Sequence, residues 1–429
     1  MRILLWHGYL LGGTGSNVYT RQLAREWSRA GHDVTVLSQE PRPEAYDLGG
    51  AATVRPDVGG FLPVFVLDRY EGYEVRRVQE CTRAELDAWV EANAAAIRSL
   101  LPADLVFTNH VLLGGPVGAE SGAPFAVKAH GSELEYSMRG NAGLESWGRE
   151  SLERARATFV GSEHIRAVLR EVCGPVDRVH EVPPGVDVEL WLPEDRADAF
   201  EALIHEARLD ASNPGNRDER LPDEGNAGRL ETFLAGETPP TIVFFGKLIQ
   251  EKGVDVLLDA MRGLDARLVV VGFGPERATL EARVRADGVR AIFTGPLEHR
   301  HLRHLLALAD ACVVPSVFPE AFGMVAAEAA AAGCPPVVAR HSGLAEVAAG
   351  LEQALPPELA SLVSFPSGDA TALNERLTAL LALGPHDRVL LRSTVRRVVE
   401  ERWSWAGVAE RLLNAVSDLS QTLGAHTTN

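Results

Sequence analysis

Short apolar runs and amphipathic stretches alternate along this chain from its first residues. Residues 2–7, RILLWH, form an apolar run closed by Gly8, the pattern of a buried parallel strand. A glycine-rich loop, GYLLGGTGSN, follows. VYTRQLAREWSRAG then sets Val18, Leu23 and Trp27 on one side of a helix that stops at Gly31. HDVTVLSQ reads as the next strand, which completes a βαβ unit. The segments ADLVFTN, PFAVKAHG and ATFVGSEHIRAVLREV continue the alternation. Residues 1–195 therefore predict a doubly wound, Rossmann-like α/β domain.

The pattern breaks at 196–237. DASNPGNRDERLPDEGNAGR has no apolar period and is rich in Asn, Asp, Gly and Pro, so it reads as loop or disorder and marks a linker or insertion. From 241 the alternation restarts. TIVFFG, ARLVVVGFG, RAIFTG, ACVVPS and PPVVAR read as strands, with helical stretches such as VDVLLDAMRGL, HLRHLLALAD and FGMVAAEAAAAG between them. Residues 238–402 predict a second Rossmann-like domain. The amphipathic stretch at 403–420 is a helix able to pack back on the first. Two such domains facing each other place a cleft between their strand C-termini.

Composition narrows the classes. The 429 residues are 46% hydrophobic and 24% charged, an ordinary globular balance. Net charge is −17, which argues against a general nucleic-acid or anionic-membrane binder. Of this, −7 falls in residues 194–237, so the bulk acidity says little about the rest. Cys81, Cys173, Cys312 and Cys334 have no metal or disulfide spacing. No stretch reaches the length of a membrane span, and no cleavage pattern follows the N-terminus. The expectation is a reduced, cytoplasmic protein. Only three of the 42 basic residues are lysine: Lys128, Lys247 and Lys252.

The glycine loop around Gly12 and Gly13 fits neither the dinucleotide fingerprint nor the P-loop. It leaves a generic anion site at a helix start, or simply a tight turn. Lys247 follows the strand-end Gly246, and Lys252 lies just before the next helix. Two cations there suit a diphosphate, although solvated surface lysines share the pattern. PSVFPEAFGMVAAEAAAAGCPPVV is the most specific segment. Glu320 closes a loop on a helix starting near Gly323, and Glu328 falls about one and a half turns inside it. Bare amides at Gly323, Met324 and Val325 with two carboxylates suit an anion flanked by hydroxyls, as in a nucleotide-sugar. A helix cap with a solvated Glu328, or a glycosidase carboxylate pair, fits the same residues. His130 ends a strand, where a histidine serves structure or chemistry.

These residues resemble the family-4 retaining glycosyltransferases of GT-B fold, over 3–195 and 240–412 and most strongly over 242–347. The family's E-P-F-G-L-x-x-x-E stands here as Glu320-Ala321-Phe322-Gly323-Met324-Val325-Ala326-Ala327-Glu328. Its G-R-x-x-x-x-K-G stands as Gly246-Lys247 through Lys252-Gly253, and its H-G-[ST]-[DE] as His130-Gly131-Ser132-Glu133. The resemblance implies that Glu320 holds donor-sugar hydroxyls and Glu328 ribose hydroxyls. The amides of residues 323–325 would reach sugar and phosphate, with Lys247 and Lys252 on the diphosphate. His130 would lie beside the sugar, while Gly12 and Gly13 cover the phosphate and border the acceptor. Two departures stand out: Lys247 replaces an arginine fork, and Ala321 replaces the proline that stiffens the turn. The implied activity is metal-independent, retaining transfer from a nucleoside-diphosphate sugar, uridine being the family's commonest base. The acceptor would be a small-molecule, glycan or lipid-linked hydroxyl. A nucleotide-sugar epimerase or a non-catalytic nucleotide-sugar-binding protein is the alternative on the same fold. Residues 41–90, with Arg69, Arg76 and Arg77 among aromatics, are an acceptor loop, a membrane-facing patch or a packed surface.

Overall fold

The computed structural model describes residues 1–66, 70–236 and 238–425, with side chains up to residue 417. The chain forms two compact units, residues 1–185 with 405–429, and residues 186–404. In the first unit the strands are β1 (Arg2–Trp6), β2 (Asp33–Leu37), β3 (Ala52–Val54), β4 (Phe61–Val64), β5 (Glu74–Arg77), β6 (Leu105–Asn109), β7 (Phe125–Lys128), β8 (Ala157–Val160) and β9 (Val179–Glu181). Seven of them pair in parallel in the order β3-β2-β1-β6-β7-β8-β9, while β4 and β5 pair apart. The strands alternate their faces. Ile3, Leu5 and Phe107 enter one core, and Leu4, Trp6 and Val106 the other. Helix Trp405–Ala425 covers the first of these cores through Trp405, Val408, Leu412 and Val416, and Trp27 Nε1 donates to the Ala409 carbonyl at 3.0 Å.

The second unit holds β10 (Thr241–Phe245), β11 (Arg267–Val271), β12 (Ala291–Phe293), β13 (Ala311–Val314), β14 (Pro336–Ala339) and β15 (Ser364–Phe365). They form a parallel sheet ordered β12-β11-β10-β13-β14-β15. Strand order thus reverses between β1 and β6 in one unit and between β10 and β13 in the other. Doubly wound sheets bind ligands at these two kinds of place.

The division differs from the expected boundaries at 195 and 237. Val186 and Trp191 are buried in the second unit's core, and Val186 bridges Ser404, so that unit begins at 186. Residues 196–236 are also built into it, through helices Arg196–Arg208 and Asn226–Phe233. Ala199, Leu203, Ile204 and Leu230 are buried there. The segment's charges look like a solvated linker in sequence because their partners lie far along the chain. Arg300 reaches Glu206 and Asp210, both at 2.6 Å, and Arg277 grips the buried Asp223. In the 41–90 segment Leu62, Val64 and Phe65 are core residues, Arg76 pairs with Glu74 and Glu85, and Arg77 pairs with Glu80. Those side chains are packed or paired within the unit; Arg69 lies outside the described residues. Among the described residues no helix is long and apolar enough to cross a membrane.

Candidate functional site

At the β10/β13 switch point the second unit brings several loops together through glycine. A Cβ on Gly272 would lie 1.8 Å from the Gly246 carbonyl oxygen, so the loops after β10 and β11 cross backbone to backbone. Gly253 has φ +63, and a Cβ there would lie 2.1 Å from the Pro315 carbonyl oxygen. Only glycine allows this approach, and it seats the turn Gln250–Lys252 against the end of β13.

The turn delivers Lys252 onto Glu320, 68 residues later, as an ion pair. Ser316 Oγ donates to the same Glu320 Oε1 at 2.7 Å. Lys247, at the end of β10, is exposed. The helix predicted to start near Gly323 runs Met324–Ala331 with Gly323 as its N-cap, and no side chain caps its first amides. Gly323 has φ +122, and a Cβ on it would meet Leu344 at 2.8 Å. Met324 and Val325 are half-buried beside it. A cation, a carboxylate and an uncapped helix start therefore share one sheet edge. Glu328, inside the helix, keeps part of its surface yet is closely surrounded by protein, and burial pushes its carboxyl up to about 8. At neutral pH it is mostly protonated, able to donate as well as accept. Sequence reasoning treated it as a charge.

The first unit gathers its residues at the β1/β6 switch point. A Cβ on Gly12 would lie 2.4 Å from the Tyr46 hydroxyl, and Gly13 is exposed with φ +95. Asn17 Nδ2 donates to the Gly12 carbonyl, and Asn17 Oδ1 lies 2.7 Å from His7 Nε2. The predicted His130 sits just beyond β7. Its Nε2 meets Asn109 Oδ1 at 2.7 Å, while Asn109 Nδ2 donates to the Trp6 carbonyl at 3.2 Å. Nε2 therefore carries the proton and Nδ1 is left as an acceptor. Burial first, then the neighbouring His110 and Lys128, hold the His130 pKa well below the usual histidine range. A neutral ring with a free Nδ1 accepts a hydroxyl proton and does not supply one. His110 and His130 rings lie 4.7 Å apart, and Tyr19 meets His130 edge-on at 5.1 Å. Glu133, fully buried, accepts from the amides of His130 at 3.0 Å and Val111 at 3.2 Å and from His110 Nδ1 at 3.2 Å. Lys128 is not a surface cation: its ammonium donates to the Val182 carbonyl at 2.8 Å, and burial lowers its pKa to about 7.

The structure thus joins Lys252 to Glu320 directly, places Gly246, Lys247, Gly323, Met324, Val325 and Glu328 around the same switch point, and sets Gly12, Gly13 and His130 around the other. Sequence reasoning missed Ser316, His341 and Ser342 around Glu320, and His7, Asn17 and Asn109 around His130. These are common residue types, and only their convergence marks them.

Two parallel-sheet units, each with a glycine-built loop at its switch point, define the GT-B architecture of glycosyltransferases. The chain matches the family model for glycosyl transferases group 1 over residues 231–394 and that for glycosyltransferase family 4 over residues 13–190. It is 30% identical over 359 residues to D-inositol 3-phosphate glycosyltransferase of Xylanimonas cellulosilytica, covering 78% of this chain and 77% of that one. It is 26% identical over 314 residues to a GDP-mannose-dependent monoacylated phosphatidylinositol monomannoside mannosyltransferase of Corynebacterium glutamicum, covering 71% and 72%. In fold it is similar to sucrose-phosphate synthase from Thermosynechococcus elongatus, with a TM-score of 0.63, 22% identity and 99% of each chain covered. Anabaena HepE in complex with UDP and glucose gives a TM-score of 0.65 at 15% identity, over 97% and 99%. The chain belongs to the family-4 glycosyltransferases of GT-B fold, and it is a glycosyltransferase.

Proposed function

We propose that this glycosyltransferase moves a sugar from a nucleoside-diphosphate donor to an acceptor hydroxyl with retention of configuration and without a metal. The observation that carries the reading is the Lys252–Glu320 pair beside the uncapped start of helix Met324–Ala331. In this reading a departing diphosphate draws Lys252 and Lys247 and takes the amides of Gly323, Met324 and Val325. Fixed positive charge there lowers the barrier to leaving-group departure, which dominates when the sugar passes through an oxocarbenium-like state. Glu320, released from its lysine, takes up sugar hydroxyls, and Glu328 takes ribose hydroxyls. His130 accepts a substrate hydroxyl at Nδ1. No carboxylate is assigned as a nucleophile. The acceptor hydroxyl therefore attacks from the face that the phosphate leaves, and the leaving phosphate oxygen takes its proton.

The acceptor is a small-molecule, glycan or lipid-linked hydroxyl on the side of the first unit. Uridine is the base proposed; relatives described as GDP-mannose-dependent make guanosine the competing outcome. A panel of UDP-, GDP- and ADP-sugars with chelator present, scored by hydrolysis, thermal shift and NMR of the product anomer, tests each element. Transfer with inverted configuration, or transfer abolished by chelator, overturns the mechanism. Free epimerised nucleotide-sugar without transfer would overturn the reaction class proposed for the donor site.

A further inference from the structure

Glu320 is held at its main chain as well as at its carboxylate. Its amide donates to Ser342 Oγ at 2.8 Å, and its carbonyl accepts from the Gly343 amide at 3.0 Å. A Cβ on Gly343 would lie 2.5 Å from Phe322 Cα, so the loop after β14 lies flat against the Glu320 turn. Ser342 adopts φ +45, a left-handed conformation that a residue with a side chain adopts only at a cost. His341 joins the two loops. Its Nε2 donates to the Ser316 carbonyl at 2.6 Å, and its Nδ1 lies 3.0 Å from Ser342 Oγ. The carbonyl can only accept, so Nε2 carries the proton and Nδ1 takes the Ser342 hydroxyl hydrogen. The Ser342 oxygen is thereby left with its lone pairs toward the Glu320 amide. Ser316, the residue whose carbonyl His341 grips, also donates its own hydroxyl to Glu320 Oε1 at 2.7 Å.

We infer that His341 and Ser342 are positioning residues for Glu320. The strained serine hydroxyl fixes the turn that Ala321 leaves without a proline's rigidity. The inference rests on the assignment of Glu320 to the donor sugar. It explains why a serine stands at a backbone conformation that glycine would adopt without cost: the hydroxyl is what the position supplies.

The test separates rate from stability. Ser342→Gly removes the hydroxyl and relieves the left-handed strain, whereas Ser342→Thr keeps the hydroxyl and adds a β-branch at the strained position. Melting temperature is expected to be lowest for Thr, with Gly close to wild type because relief of the strain offsets the lost hydrogen bonds. Turnover is expected in a different order, with the glycine variant about tenfold below wild type and the threonine variant less impaired. Affinity for the free nucleoside diphosphate, read by calorimetry, should be unchanged in both. A glycine variant with wild-type turnover, or turnover that follows melting temperature, overturns the inference. Glu320→Gln is measured beside them. If it too retains full turnover, the Glu320 assignment itself fails; if it is impaired while Ser342→Gly is not, only the positioning role fails.

Discussion

At neutral pH the Glu328 carboxyl keeps its proton in the folded chain, because burial pushes its pKa from 4.5 up to about 8. Unfolding returns it to water, where it ionises near 4.5. Between those values the unfolded chain binds one proton fewer, so stability falls as pH rises, by about 1.4 kcal/mol per pH unit. The contribution is fully present below pH 4.5 and is lost by the time pH has passed the folded value of about 8. The whole interval sets a ceiling of about 5 kcal/mol, and the part of the side chain that reaches solvent brings the effect below it. Glu328→Gln keeps the shape and removes the titrating proton. Urea unfolding of both proteins from about pH 5 to about pH 9 should show the wild type losing several kcal/mol relative to the variant. Parallel pH profiles would refute the buried-acid account. The same group links stability to ligand binding. If the ribose hydroxyls are held by an ionised Glu328, nucleotide binding at neutral pH must release a proton, which calorimetry in buffers of different ionisation enthalpy detects.

Glu320→Ala and Lys252→Ala should each lower turnover at least about tenfold, and near-wild-type rates in either would remove that residue from the site. Because the two side chains share one ion pair, the double variant should lose less than the summed single effects. His130 should stay neutral across the pH range in which an ordinary histidine titrates, since burial and neighbouring positive groups depress its pKa; a ring titration near the ordinary histidine value in nitrogen NMR would contradict this. Gly253→Ala should cost at least about 2 kcal/mol in urea unfolding, because the added Cβ meets the Pro315 carbonyl oxygen at a positive φ; an unchanged midpoint would show that the loop contact is dispensable.

Much of the site was legible because its residues cluster in short segments. Gly323, Met324, Val325 and Glu328 belong to one loop and helix, and the helix spacing alone places them. Lys252 and Glu320 are different. Their pairing depends on β10 and β13 being neighbours, which requires the chain to reverse its winding after β12. The insertion at 196–237 was misread for a related reason. Its acidic residues looked solvated, whereas Glu206, Asp210 and Asp223 are matched to Arg300 and Arg277. Such pairing over long separations leaves no local period in the sequence.

Local pattern determined the parallel α/β class, the central strands of both sheets, and the two glycine loops, because strand burial and helix amphipathicity are written in neighbouring residues; the short strands β3, β4, β5, β9 and β15 escaped it. It also marked the lysines, glutamates and histidine worth testing. Tertiary structure decided their chemical states. Burial makes Glu328 an acid that keeps its proton, and Asn109 makes His130 an acceptor at Nδ1. Lys128 is withdrawn to a buried carbonyl, and the Glu320 turn hangs on a serine hydroxyl from the loop after β14. Protonation and hydrogen-bond direction depend on which groups meet in three dimensions and how much water they lose on meeting. Neither quantity is a property of any one stretch of chain.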